Sequence, residues 1–185
     1  MSTSSWLIVL AVVVGVAVWL YNGLVRLRNQ VRNAWSQIDV QLKRRHDLVP
    51  NLVNAVKGYL QHEREVLERV TEARARAMAA SGAARVGVAE GQLSQAVSGL
   101  IATMERYPDL KANQNVLALQ EELVSTENRI GFARQFYNDM VARYNTRQQS
   151  FPLNLVAGAL SFRPAEFFEM EATERAVPRV DLGPR

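Results

Sequence analysis

Apolar residues return along this chain at steps of three and four, and from Leu24 to Val70 they fall into two series that repeat every seven residues, with a single step of eight from Ala34 to Leu42 in the second. One series is Leu24, Val31, Ile38, Leu52, Tyr59 and Val66; the other is Leu27, Ala34, Leu42, Val49, Val56 and Val70. The repeat predicts one very long helix with a buried seam, centred on Ala34–Tyr59. Two positions break it. Arg45 stands where the first series requires an apolar side chain and Glu63 where the second does. A charge on a buried seam is costly unless paired, so at each place either the seam opens or another helix supplies a partner. For Arg45 the expected partner is a carboxylate of the last long helix: Glu121, Glu122 or Glu127.

Towards the N-terminus the pattern changes from a stripe to an all-round apolar run. Trp6–Val25 carries no charge, and at about 1.5 Å per residue such a helix covers the roughly 30 Å hydrocarbon core of a bilayer. Trp6 lies near one end, with Trp19 and Tyr21 near the other, as amphipathic rings at membrane interfaces do. The leading MSTSS has no basic residue and no Ala-x-Ala site closes the run, so a retained anchor is expected over a cleaved signal. Arg26, Arg28 and Arg32 follow the run and no Lys or Arg precedes it, which places the N-terminus outside and the remainder in the cytoplasm. Ala11-x-x-x-Gly15 offers a small-residue helix contact.

Beyond the anchor, Pro50 predicts a kink or break, because it removes a backbone donor and clashes with the preceding turn. Ser81-Gly82 stops the helix and places a loop near 80–86. A second helix over 87–106 carries Val86, Leu93, Leu100 and Tyr107 on one seam, with Val97 and Met104 on the other. Pro108 separates it from a third, over 109–148, with Val116, Leu123, Ile130, Tyr137 and Tyr144 in one series and Leu119, Thr126, Ala133 and Met140 in another. Tyr137-Asn138 and Tyr144-Asn145 share a phase, and their polar groups are expected to be satisfied by hydrogen bonds across the bundle. Residues 151–168 are apolar and aromatic but too short to span; they cap the bundle end or lie on the membrane surface. The expected organisation is a 1–25 anchor, a 26–169 bundle and a disordered 170–185 tail. One mismatch stands out: a continuous rod over 26–79 is about 80 Å long and the second helix only about 30 Å. A bend, near-collinear stacking across Pro108 or a second copy must cover the remainder.

Composition narrows the chemistry. The 185 residues include no Cys, which removes thiol nucleophiles and Cys-held metals, and His46 and His62 are the only imidazoles. The net charge of +4 is uneven: residues 26–79 hold eleven Lys/Arg against six Asp/Glu, whereas 80–185 hold eleven against twelve. A basic half next to an apolar segment suits an anionic membrane, and no basic run is interleaved with stacking aromatics, so no nucleic-acid partner is expected. Phosphate-loop, His-Glu-x-x-His, Gly-x-Ser-x-Gly and repeated Glu-x-x-His patterns are missing. His62-Glu63 opens like a zinc helix, but Val66 stands where the second ligand belongs. A metal-dependent hydrolase using His46 and His62, with Asp47 and Glu63, is therefore a remote alternative. Lys43-Arg44-Arg45 reads as a solvated face or as a docking patch, Asp39, Lys43 and Asp47 form a ladder four residues apart, and Trp35 beside the seam is a packing anchor.

At AWSQIDVQLKRRHDLVPNLVNAVKGYLQHEREVLERVTEARA the chain closely resembles the LemA family of bacterial membrane proteins, and the likeness extends through MERYPDLKANQNVLALQEELVSTENRI, FYNDMVARYN and FPLNLVAGALSF to Phe167-Phe168. The motif residues carried over are Trp35, Asp39, Arg44, Arg45, Asp47, Pro50 and Asn51; His46 departs from the aromatic that the family usually has there. The resemblance implies a short outside N-terminus, one membrane helix and a cytoplasmic helical bundle in the bacterial inner membrane, and it brings no catalytic activity, substrate or cofactor. The whole reading is an all-α protein: a transmembrane helix continuing into an antiparallel bundle of three to four long helices. It acts without catalysis or cofactor as a scaffold that contacts lipid and self-associates or docks a membrane-protein partner. The alternative is an accessory subunit of a membrane protease, transporter or envelope-stress signalling system.

Overall fold

The computed structural model describes residues 3–169; the tail expected to be disordered, 170–185, lies outside them. Six helices follow in order: α1 (Thr3–Val56), α2 (Arg64–Ala79), α3 (Ala83–Met104), α4 (Pro108–Lys111), α5 (Gln114–Gln149) and α6 (Leu153–Ala159). No strand occurs among the described residues. The chain divides into two compact units, Met1–Lys43 with Asn128–Phe167 and Arg44–Glu127 with Phe168–Arg185.

α1 runs through Pro50 without interruption and stops six residues later, so of the expected kink or break, the break is corrected. The reason is visible at the carbonyl that Pro50 leaves without its intrahelical donor, that of His46: the Arg74 guanidinium donates its Nε–H to it at 2.7 Å. Chain reversal comes instead over 57–63, where Gly58 is a poor helix former and Leu60 folds inward to full burial. Tyr59, placed on the seam by the seven-residue count, is consequently exposed. The rod thus ends at Val56, and the mismatch with a short second helix does not arise. The next turn is shorter than expected, only 80–82; Gly82 takes φ 87°, a conformation open to glycine, and α3 starts directly after it.

In the second unit the hairpin of α2 and α3 closes over α1 and α5. Leu48, Val49, Leu52 and Val56 meet Val70, Ala73 and Ala77 of α2, Leu93, Val97, Leu100 and Met104 of α3, and Val116 and Leu123 of α5 in one core. Glu63 stays half-buried at the turn, where Arg106 Nη2 donates to it at 3.1 Å and Tyr107 Oη at 3.4 Å. In the first unit Trp35 packs edge-on against Tyr137, with ring centroids 5.4 Å apart, which fulfils its reading as an anchor. Arg28 of the same helix influences Tyr144, so numbers rise along α1 as they rise in the opposite sense along α5: the pair is antiparallel.

The first unit ends in a strap. After α6 the chain has no regular secondary structure over 162–167 and runs back along α5. Gln148 Nε2 donates to Phe162 O at 2.5 Å, Tyr144 Oη to Arg163 O at 3.0 Å and Tyr137 Oη to Glu166 O at 2.8 Å. Asn145 bonds Ala165 twice, to its carbonyl and from its amide, at 2.9 Å each. The two tyrosines and Asn145 are therefore satisfied, but by strap backbone and not by side chains of another helix. Burial raises both tyrosine pKa values; Glu166 adds to the effect at Tyr137 and Arg28 opposes it at Tyr144.

Candidate functional site

The second unit holds a buried polar cluster centred on Arg45. Its side chain is 2% exposed, and it meets carboxylates from two helices. Nη1 donates to Glu127 Oε2 of α5 at 2.6 Å and to Ser94 Oγ of α3 at 2.7 Å. Nη2 is paired with Glu90 Oε2 of α3 and also donates to the Glu90 carbonyl at 3.3 Å. Ser94 Oγ in turn donates a hydrogen bond to Glu127 Oε1 at 2.8 Å, and His46 Nε2 lies 2.7 Å from Glu90 Oε1. Burial lowers the Arg45 pKa, while the charge and hydrogen bond of Glu127 act in the other direction. A guanidinium stays charged under such pressure, so the cluster is a fixed cation held between two carboxyl groups.

Glu127 fulfils the expected pairing; Glu90 was not foreseen. Yet Glu90 lies four residues after Val86 and three before Leu93 on the same α3 face, and a charge in the middle of an apolar face is the signal that singled out Arg45. Glycines at 87 and 91 keep that face shallow, and both are buried. Ser94 already donates to one neighbour and accepts from another, which leaves it poorly placed as a nucleophile. Chemically, the cluster ties α1, α3 and α5 together.

Other sequence-derived candidates lie apart from it. Arg44 is half exposed and pairs with Glu122 at 2.5 Å; Lys43, Asp39, Asp47 and Asn51 are exposed. The Asp39, Lys43, Asp47 ladder forms no ion pair among the described residues, each side chain being directed to solvent. His62 is exposed at the turn, and among the described residues no group of three or more His, Asp or Glu side chains is arranged to hold a metal ion. Trp6, Trp19 and Tyr21 are exposed, as are Arg26 and Arg32, while Arg28 stacks over the Phe162 ring, 5.1 Å from its centre.

A second feature, absent from the sequence reading, is an apolar groove in the first unit between α1 and α5. Ser36, Gln37, Val40, Gln41, Arg129, Phe132, Ala133 and Phe136 line it. Phe132 is 74% exposed, with Val40 and Phe136 also exposed, and buried Gln41 Oε1 has no hydrogen-bond partner. Phe132 and Phe136 are four residues apart and so share a helix face. Periodicity registers the buried stripe of α5 but not a shorter stripe on its other side.

α1 begins with apolar residues exposed on every face, at mean hydropathy 2.4 in its most apolar window, and only 11% of that window is buried by protein. A helix apolar all round needs an apolar surrounding, and bilayer lipid supplies one. Fold and site together define a membrane-associated, all-α bundle protein with a buried ionic lock. The chain belongs to the LemA family, whose model matches residues 34–182. It is similar to Protein LemA of Metamycoplasma hominis, 28% identical over 156 residues, which cover 83% of this chain and 71% of that one. It is also similar to magnetosome protein MamQ 2 of Paramagnetospirillum magneticum, 24% identical over 189 residues, covering 87% and 70% of the two chains. Magnetosome protein MamQ of Magnetospirillum gryphiswaldense is 22% identical over 174 residues, covering 80% and 64%.

Proposed function

We propose that this protein is a non-catalytic scaffold, held in the bacterial inner membrane by one span, with its N-terminus outside and its helical bundle at the cytoplasmic face, and that it self-associates there. The observation that carries the reading is the groove: Val40, Phe132 and Phe136 leave apolar surface on a unit whose Tyr137, Tyr144 and Asn145 are already satisfied by the strap, and Gln41 Oε1 is buried beside it without a donor. Arg26, Arg28 and Arg32 after the charge-free run support the orientation. The domain division into a 1–25 anchor and a 26–169 bundle belongs to the same proposal.

A photo-crosslinking residue in place of Val40, in otherwise intact protein in its membrane, tests it. The expected adduct has twice the mass of the chain, and Phe132→Ser with Phe136→Ser abolishes it. Adducts to lipid alone contradict self-association through this groove. The second reading, an accessory subunit docking a different membrane protein, is supported by exposed Lys43 beside half-exposed Arg44. It expects a heterologous adduct that reversal of those two charges removes.

A further inference from the structure

The described residues hold a second apolar surface, and its position relative to the span determines what covers it. Phe151 is 80% exposed, Leu155 on α6 is 65% exposed, and Leu160 just after α6 is exposed as well. Two residues beyond Leu160, the Phe162 ring packs edge-on against Tyr21, centroid to centroid 5.9 Å, and beneath Arg28. Tyr21 lies near the C-terminal end of the charge-free run, which Arg26 closes. Phe162 is thereby fixed at the level where the span leaves the hydrocarbon. At no more than about 3.6 Å per residue, Leu160 lies within about 7 Å of it, a distance comparable to the depth of a bilayer's headgroup layer.

The charges fit the same surrounding. Between Asp139 and Glu166 the chain has no acidic residue and three arginines, Arg143, Arg147 and Arg163, all exposed. Short apolar projections bordered by arginines, next to the Arg26, Arg28 and Arg32 group, suit the boundary between anionic headgroups and acyl chains. A folded protein partner would have to occupy the same layer as the lipid.

We propose that Phe151, Leu155 and Leu160 form a second, interfacial membrane contact that dips into the anionic leaflet beside the span and fixes the tilt of the first unit. The proposal rests on the membrane anchoring above, though not on self-association. The absence of cysteine makes the test direct: Leu155→Cys carries one environment-sensitive fluorophore, and Val13→Cys, in the span, carries the same dye in a parallel sample. Both full-length proteins are placed in phosphatidylcholine vesicles containing a minority of phosphatidylglycerol, with a nitroxide lipid labelled high on its acyl chain or, separately, aqueous iodide. The expected result is that the nitroxide lipid quenches the Leu155 dye by about half or more and iodide does not reach it, because an interfacial side chain sits about 5–10 Å into the boundary. Iodide quenching at 155 without lipid quenching, while the residue 13 dye is quenched by lipid, overturns the interfacial contact and leaves the anchor standing. A residue 13 dye that lipid does not quench overturns the anchor, and this inference with it.

Discussion

Arg45 shows what one buried charge costs and contributes. Removing it leaves Glu90 buried against His46 without its cation, and a buried pair broken on one side loses about 3–5 kcal/mol. Arg45→Ala is therefore expected to lower the unfolding free energy of the vesicle-embedded protein by that amount, whereas Arg45→Met with Glu90→Met recovers most of it. A loss below about 1 kcal/mol for the single change, the range of exposed pairs, contradicts the buried lock. Tyr137 and Tyr144 carry a pH prediction. Their pKa values are raised above the ordinary 10, so their contribution is complete below pH 10 and falls as pH rises through the folded values. Tyrosinate absorbance is expected to appear late and together with release of the strap, and Tyr137→Phe with Tyr144→Phe to remove that alkaline transition. Sequence alone was sufficient to flag Arg45, because a cation interrupting a seven-residue series needs a partner. It did not pair Arg45 with Glu90, since which two helix faces meet depends on the turn at 57–63.

Helices were legible where a seven-residue series ran long, and least legible at their ends. Val116, Leu123, Ile130, Tyr137 and Tyr144 are all buried, as their spacing requires. Pro50 misled because nothing local to it shows that Arg74, on another helix, supplies the donor that the proline removes. A double-mutant cycle measures this. Arg74→Ala is expected to cost about 1.5–3 kcal/mol, as for a hydrogen bond from a charged group, and much less once Pro50→Ala restores the backbone N–H. Additive effects would mean that Arg74 acts elsewhere. Gly87 tests the end of the described chain, because a Cβ there would collide with the Glu169 backbone carbonyl, its carbon only 2.8 Å away. Gly87→Ala is expected to cost about 1–3 kcal/mol or to lift Glu169 from α3, seen as faster amide exchange at the C-terminal end. The strap itself was beyond sequence reading, for its hydrogen bonds use backbone groups that every residue has.

For the whole molecule, the long apolar N-terminal helix, the α-helical bundle and the family could all be read in advance, since each rests on long patterns: a charge-free run, a seven-residue repeat and extended motif likeness. The groove could not, because exposure of Phe132 and Phe136 depends on which face of α5 the strap and α1 leave open. Whether that face is covered by a second copy is the central claim, and the mass of the full-length protein in a nanodisc, by light scattering with lipid and scaffold subtracted, tests it most directly. A defined multiple of 20.7 kDa, reduced to one chain by Phe132→Ser with Phe136→Ser, is the expected result. A single chain of 20.7 kDa at every protein concentration contradicts it.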